Sequence, residues 1–350
     1  MLKRYIEEGG PDKFDLVIVG GGITGAAVAY IAAARGLSVA LFEKKDYGGA
    51  TSAATSKLIH GGLRYLANGE LKLVRESLRE RRILGNIAPN FVYPLPFILP
   101  MYKRWRGNIW KMLMGMYLYD ALSYDKKDTW DRSKKLENHR LINHRKTIRV
   151  EPNLKKENLR NAFYFFDYQS IFPERLTLAF IKSAAEYGAS VSNYTPVEGF
   201  VFGDGRKITG VRVKDIFTGR TREVHAGLVV NCGGTWADKI LSLAAGDGES
   251  KHRVKRSEGI HIITKKIAGN HVVSLQKADG GHMMIMPWRE HSLIGTTDKE
   301  FLGDPDEYKV SMESIDEIIE NVNTNYGRKI SREDIIHAYG GLRPLVDDQT

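Results

Sequence analysis

Residues 14–43 read FDLVIVGGGITGAAVAYIAAARGLSVALFE, and this stretch decides the fold. Phe14–Val19 is a short apolar run, as expected of a buried strand. Gly20-Gly21-Gly22-Ile23-Thr24-Gly25 follows directly and satisfies G-x-G-x-x-G. Ala26–Ala34 is a run of helix formers closed by Gly36. Leu37–Phe42 is a second apolar run, and Glu43 ends it, 23 residues after Gly20. Strand, glycine turn, helix, strand and terminal acid together form a dinucleotide fingerprint, where the glycine pattern alone is weak. Gly20 permits the tight turn, Gly22 lets a backbone approach a pyrophosphate, and Gly25 lets helix and strand pack closely. The helix start offers free N–H groups and a partial positive charge to phosphate. Glu43 suits a ribose diol and argues against a 2′-phosphate.

The fingerprint does not choose between NAD and FAD. Residues 48–57, GGATSAATSK, favour FAD, because small hydroxyl residues can cap a second run of phosphate and ribityl oxygens. The plain alternative is a surface loop.

Outward from this unit, Leu71–Ile87 has the apolar spacing of an amphipathic helix, and Pro94–Pro100 is extended. Glu174–Tyr187 is a helix entered through Pro173. Val197–Phe202 and Ile208–Val213 form a hairpin, followed by strands at Thr221–Val224 and Leu228–Val230. A helix follows near Trp236–Ala244. Strands recur over 258–298, Met312–Asn323 is helical, and Ser331 with Asp334 marks a further short helix. The expected fold is α/β: a Rossmann-like domain over 12–92 and 165–250, with a mixed or antiparallel-sheet substrate domain over 251–350. Residues 93–164 form a basic aromatic region between them.

The chain of 350 residues has 52 Lys+Arg against 42 Asp+Glu, a formal charge of +10. A single cysteine, Cys232, excludes a disulfide framework and any multi-Cys zinc site. We read it as a small packed residue. No apolar stretch is long enough to span a bilayer. The charged start of the chain does not resemble a signal peptide. A reducing compartment is expected. The positive excess is local: residues 126–160 hold 12 Lys/Arg against 5 Asp/Glu. Residues 101–119, MYKRWRGNIWKMLMGMYLY, hold four basic residues and no acid. Cations beside Trp, Tyr and Met suit an anionic membrane surface. A solvated basic helix is the alternative, and no nucleic-acid motif accompanies the charge.

Residues 51–66, TSAATSKLIHGGLRYL, resemble the signature of FAD-dependent glycerol-3-phosphate dehydrogenases. Pro287-Trp288, residues 295–298 (GTTD) and residues 339–345 (YGGLRPL) match in the same order. The resemblance implies a D-amino-acid-oxidase-type fold with bound FAD. It implies oxidation of sn-glycerol 3-phosphate to dihydroxyacetone phosphate, with hydride passing from C2 to flavin N5 and electrons then to a membrane quinone. Related oxidases use oxygen. An amino-acid oxidase of the same fold fits the 60–66 run poorly. A flavin-binding chain without turnover is the alternative from another class. The resemblance also implies a peripheral position at the inner face of the cell membrane, facing the cytoplasm, and admits a homodimer.

Residue by residue, it assigns FAD contacts to Gly20, Gly22, Ile23, Thr24, Gly25, Glu43, Lys44, Thr51, Ser52, Ser56, Lys57, Leu58, Gly61, Gly62, Val197 and Gly233. The Gly61-Gly62 pair is expected to approach the isoalloxazine. Arg64, Tyr65, Thr296 and Thr297 are assigned to the substrate, and Arg64 and Arg343 are expected in short loops. His261 and Arg343 are the implied catalytic pair. A neutral imidazole can take the C2 proton, and a guanidinium can hold phosphate or alkoxide. Without the resemblance, His261 is a strand histidine bonded to a carbonyl, and either arginine a surface ion pair. Glu258-Gly259 stands where the family often has Lys-Gly, which predicts repulsion of a nearby phosphate. Relatives are expected to continue past residue 350 with a flavin-closing segment and a helical domain.

Overall fold

The computed structural model describes residues 2–103, 109–245, 254–277 and 281–345. Two sheets organise them. The first has six strands in the order Ser190–Ser192, Val39–Phe42, Lys13–Val19, Thr221–Asn231, Ile208–Lys214 and Val197–Phe202. The first four are parallel, and the last two form an antiparallel hairpin on one edge. Lys13–Val19 lies in the middle, with Val17 in register with Ala40 and Val229. Val17, Ile18, Leu41 and Phe42 are buried because helices and loops cover both faces.

Helix Ile23–Ala34 crosses that sheet on Ala26, Ala29, Ala32 and Ala33, and helix Pro173–Glu186 packs beside it. Small side chains allow the close approach. The helix ends with Gly36 at φ +85, its N–H bonded to the Ala33 carbonyl, a left-handed stop that glycine reaches without steric cost.

The second sheet is larger and mixed. Its path runs Lys299–Glu300, Lys255–Lys265, His291–Gly295, His282–Trp288, Val272–Gln276, Val92–Tyr102, Leu159–Ser170 and Leu58–Ile59. The closing strand Ile335–Leu345 pairs with Lys255–Lys265, and Arg140–Asn143 pairs with Leu159–Ser170. The sheets divide the chain differently from the boundaries read in the sequence. Residues 93–164 do not stand apart, since both ends of that region are strands of the large sheet. Alternation explains it: Leu95, Phe97, Leu99 and Met101 enter one core from a single strand face.

That strand carries Pro94, Pro96 and Pro100. All three share one parity, so their missing donors fall on one side, and the parallel neighbour meets the strand only at Phe97 and Ile98. Two smaller expectations also change. Residues 221–230 form one continuous strand, because its pairing with Lys13–Val19 runs on through the glycine at 227. Ser331 and Asp334 do form a capping box, but it closes a single 3-10 turn, since the closing strand begins at Ile335.

Candidate functional site

The glycine turn sits where the first sheet feeds its helix. A Cβ on Gly25 would lie 1.9 Å from the Gly20 carbonyl oxygen, and one on Gly20 would lie 2.5 Å from the Cys232 carbonyl oxygen. These two glycines are required by backbone packing alone. Gly22 differs: its Cβ would meet only the Ser52 hydroxyl, at 3.2 Å, so a side chain is absent there without a packing reason. Ile23 and Thr24 are exposed beside it. Glu43 Oε2 accepts from Gly21 N–H at 2.7 Å and Oε1 from Lys45 N–H at 2.8 Å. Each carboxylate oxygen keeps a further lone pair for a diol. The Ser52 hydroxyl accepts from Ile23 N–H at 2.9 Å, which brings the 48–57 loop against the helix start. Lys44 Nζ bonds Asp306 at 2.7 Å and lies 4.0 Å from the centre of the Trp236 ring. Val197 is half-buried at the start of the edge strand.

The same loop then reaches the second sheet. Thr51 Oγ1 donates to the Leu342 carbonyl at 2.8 Å, and Ser56 Oγ lies 2.9 Å from His261 Nε2. Leu58 pairs with Gln169. A cleft of about 480 Å³ opens between the loop and the closing strand, lined by Thr51, Lys57, Trp236, Trp288, Tyr308 and Tyr339 among others.

His261 is 2% exposed, and its ring stacks on Tyr339 at 5.2 Å. Burial, then the nearby Arg343 and Lys57 charges, push its pKa down to about 3. The imidazole is therefore neutral at ordinary pH. Arg343 lies on the closing strand opposite Ser257, not in a loop. Its guanidinium donates to Thr296 Oγ1 at 2.8 Å, to the Thr297 carbonyl at 3.2 Å and to the Glu258 carbonyl at 3.1 Å, and it also pairs with the exposed Asp298 carboxylate at 3.4 Å, the ion pair of the plain alternative. Gly259 makes room for it, since a Cβ there would lie 2.2 Å from Arg343 Nη2. Thr297 has a structural task too: its buried hydroxyl accepts from Ile260 N–H at 3.1 Å.

The Glu258 side chain does not oppose Arg343. Residues alternate across a strand, and the Glu258 carboxylate turns to helix Met312–Asn325, where Ser314 donates to it at 2.6 Å. The expected repulsion of a phosphate by this carboxylate is thus directed away from the Arg343 face.

Gly61 faces its own protein: a Cβ would lie 2.2 Å from Leu78 and 2.6 Å from the Tyr119 hydroxyl. Gly233 likewise packs on Ile240. Gly62 is left-handed, at φ +70, and turns the chain into helix Leu63–Ala67. Arg64 therefore belongs to a short helix rather than a loop, and its side chain lies outside the described residues. Tyr65 is 43% exposed.

Sequence reasoning missed the surroundings of Lys57. Its ammonium lies 5.4 and 5.2 Å from the Trp288 and Tyr339 rings, buried. No carboxylate among the described residues is within ion-pair distance, and burial lowers its pKa. His261 Nδ1 and Glu174 Oε2 are also buried without partners. Tyr339 and Trp288 stood in the matched motifs, but their pairing with Lys57 needs the folded sheet. A bare glycine loop, a buried cation outside ion-pair distance of any described carboxylate and orphaned polar atoms fit a flavin dinucleotide.

A family model described as FAD dependent oxidoreductase matches residues 15–350. A glycerol-3-phosphate dehydrogenase of Synechocystis is 35% identical over 343 residues, covering 95% of this chain and 61% of that protein. An alpha-glycerophosphate oxidase of Streptococcus pneumoniae is 33% identical, over 95% of this chain and 54% of its own length. The glycerol-3-phosphate dehydrogenase of Bacillus halodurans, solved with FAD, superposes with a TM-score of 0.77 at 27% identity, over 99% of this chain and 60% of its own. The chain thus spans little more than half the length of these proteins.

Proposed function

This chain belongs to the FAD dependent oxidoreductase family, and from that premise we propose that it oxidises sn-glycerol 3-phosphate to dihydroxyacetone phosphate. The observation that carries this reading is Arg343, held by Thr296 and two carbonyls on the sheet face that also bears a neutral histidine. The substrate class follows the names of the relatives. FAD, when bound, supplies the two-electron acceptor for the hydrogen on C2.

The chain's own residues supply the rest. Arg343 offers paired N–H donors to a phosphate or alkoxide. Thr296, already its partner, orients the same oxygen. Burial first, and then the nearby cations, keep His261 neutral. The cations Arg343 and Lys57 help suppress its protonation, so an anionic substrate that neutralises them raises its basicity as it binds. The imidazole is then able to take the hydroxyl proton as C2 is oxidised.

Quinone is the proposed acceptor, reached at a membrane surface on the cytoplasmic side. Helix Ile109–Leu122 supports this, with Trp110, Met114 and Tyr117 exposed by 67, 70 and 63% at helical spacing. Among the described residues no helix is long and apolar enough to cross a membrane. Arg104, Trp105 and Arg106 of this region lie outside the described residues.

The test is the visible spectrum of the purified protein, before and after anaerobic glycerol 3-phosphate. A flavin band that bleaches supports the reading, and one that persists with substrate overturns it. Reoxidation by quinone rather than by dissolved oxygen then separates dehydrogenase from oxidase.

A further inference from the structure

The Tyr119 hydroxyl sits between two parts of the molecule that sequence reading kept apart. It accepts the Gly61 N–H at 3.0 Å and donates to the Asp167 carboxylate at 3.0 Å. Asp167 is in turn ion-paired with Arg81, whose other terminal nitrogen donates to Ser123 Oγ at 2.7 Å. All four side chains are at most 3% exposed. They come from two helices and one strand: Leu71–Ile87, Ile109–Leu122 with the residue after it, and Leu159–Ser170.

Through the Tyr119 hydroxyl the network reaches the backbone at Gly61. Gly61 is closed in by Leu78 and by the Tyr119 hydroxyl, and cannot carry a side chain without displacing them. Its amide is fixed by Tyr119, and the next amide, of Gly62, is fixed by His60 Nδ1 at 3.0 Å. Two consecutive N–H groups are thus pinned just before the left-handed turn at Gly62 and the helix that carries the backbone of Arg64 and Tyr65. Burying an ion pair and a phenol together is costly where a bond is missing, and among the described residues Arg81 Nε is buried without a partner while the phenol and the carboxylate are bonded. Here Asp167 holds the phenol oriented, and the phenol holds the loop.

We infer that Tyr119 is a positioning residue that sets the place of residues 60–66 through the Gly61 amide. It touches no reacting atom. Its effect is on how the Arg64-bearing helix is presented to an anionic substrate, and in that kinetic part the inference rests on the proposed function.

The experiment compares the full FAD-loaded chain with Tyr119→Phe, which keeps the ring and removes the hydroxyl. Hydrogen–deuterium exchange over residues 58–67 is expected to show the Gly61 amide exchanging about tenfold faster. The KM for glycerol 3-phosphate is expected to rise several-fold, with kcat within about twofold and flavin content unchanged. Tyr187→Phe, an exposed tyrosine at the end of helix Pro173–Glu186, changes neither. Unchanged exchange at Gly61 overturns the inference, and so does a loss of kcat at constant KM. The unmutated chain guards against a variant that fails to fold: a Gly61 amide that exchanges freely there overturns the inference outright. If the wild type is not reduced by glycerol 3-phosphate, the proposed function fails while the exchange result still decides the role of Tyr119.

Discussion

Arg343 Nη2 donates to Thr296 Oγ1 at 2.8 Å, joining the closing strand to the turn after His291–Gly295 across 47 positions of sequence. Both side chains lie on the face of Lys255–Lys265 where Gly259 leaves the space of a missing Cβ. The guanidinium is therefore placed before any ligand arrives.

Arg343→Ala is expected to weaken the apparent affinity for glycerol 3-phosphate by about 10–100-fold, the usual range for losing hydrogen bonds from a charged donor. Flavin content should stay near wild type, because Arg343 does not contact the glycine loop. Arg343→Lys should recover only part of the loss, since one ammonium cannot reproduce paired N–H geometry. Steady-state kinetics beside the 450 nm absorbance, about where flavins absorb, checks both. An unchanged rate removes Arg343 from the site.

Gly22 and Gly25 should fail in different ways. Gly25→Ala drives a methyl into the Gly20 carbonyl and should cost ~1–3 kcal/mol of stability as well as flavin. Gly22→Ala meets only a serine hydroxyl, so it should melt near wild type yet retain less FAD. Thermal melts paired with flavin quantification separate the two. Equal destabilisation by both would mean that Gly22 is also a packing glycine.

The pH dependence of stability should carry the signature of His261. The folded chain keeps this ring neutral down to about 3, while the unfolded chain protonates it near the ordinary 6.5. Its contribution is therefore complete above that ordinary value and is lost as pH falls towards the folded one, at up to ~1.4 kcal/mol per pH unit. His261→Gln should flatten that acid limb of a denaturant-midpoint titration. A limb of unchanged slope would mean that the imidazole is protonated in the folded chain.

Vesicle sedimentation tests the exposed aromatic face. Binding to anionic vesicles should fall as salt is raised, and Trp110→Ser, Met114→Ser and Tyr117→Ser together should reduce what salt leaves. Absence of binding at every salt concentration would leave only a solvated helix.

The glycine turn, Glu43 and helix Leu71–Ile87 were legible because each is written within a short window, as a spacing or a period. The serine and threonine loop was legible as a site but not as a bridge. Ser52 bonds the first sheet's helix and Ser56 the second sheet's histidine, and no local pattern states that. Tyr119 was read among membrane-facing aromatics, whereas burial turns it inward by one residue step from exposed Leu118.

By itself the sequence determined that a nucleotide-binding β-α-β unit starts this chain and that its matched loops belong to one flavoprotein family. Those features depend on backbone geometry and nearest neighbours, which a few adjacent residues control. The tertiary structure alone decided three things: Arg343 sits in a strand facing Thr296, Glu258 turns its charge to Ser314, and His261 loses its proton. Each depends on which strand lies beside Lys255–Lys265 and how deeply that pair is buried. Long-range pairing and desolvation act between residues far apart in the chain, so no local spacing encodes them.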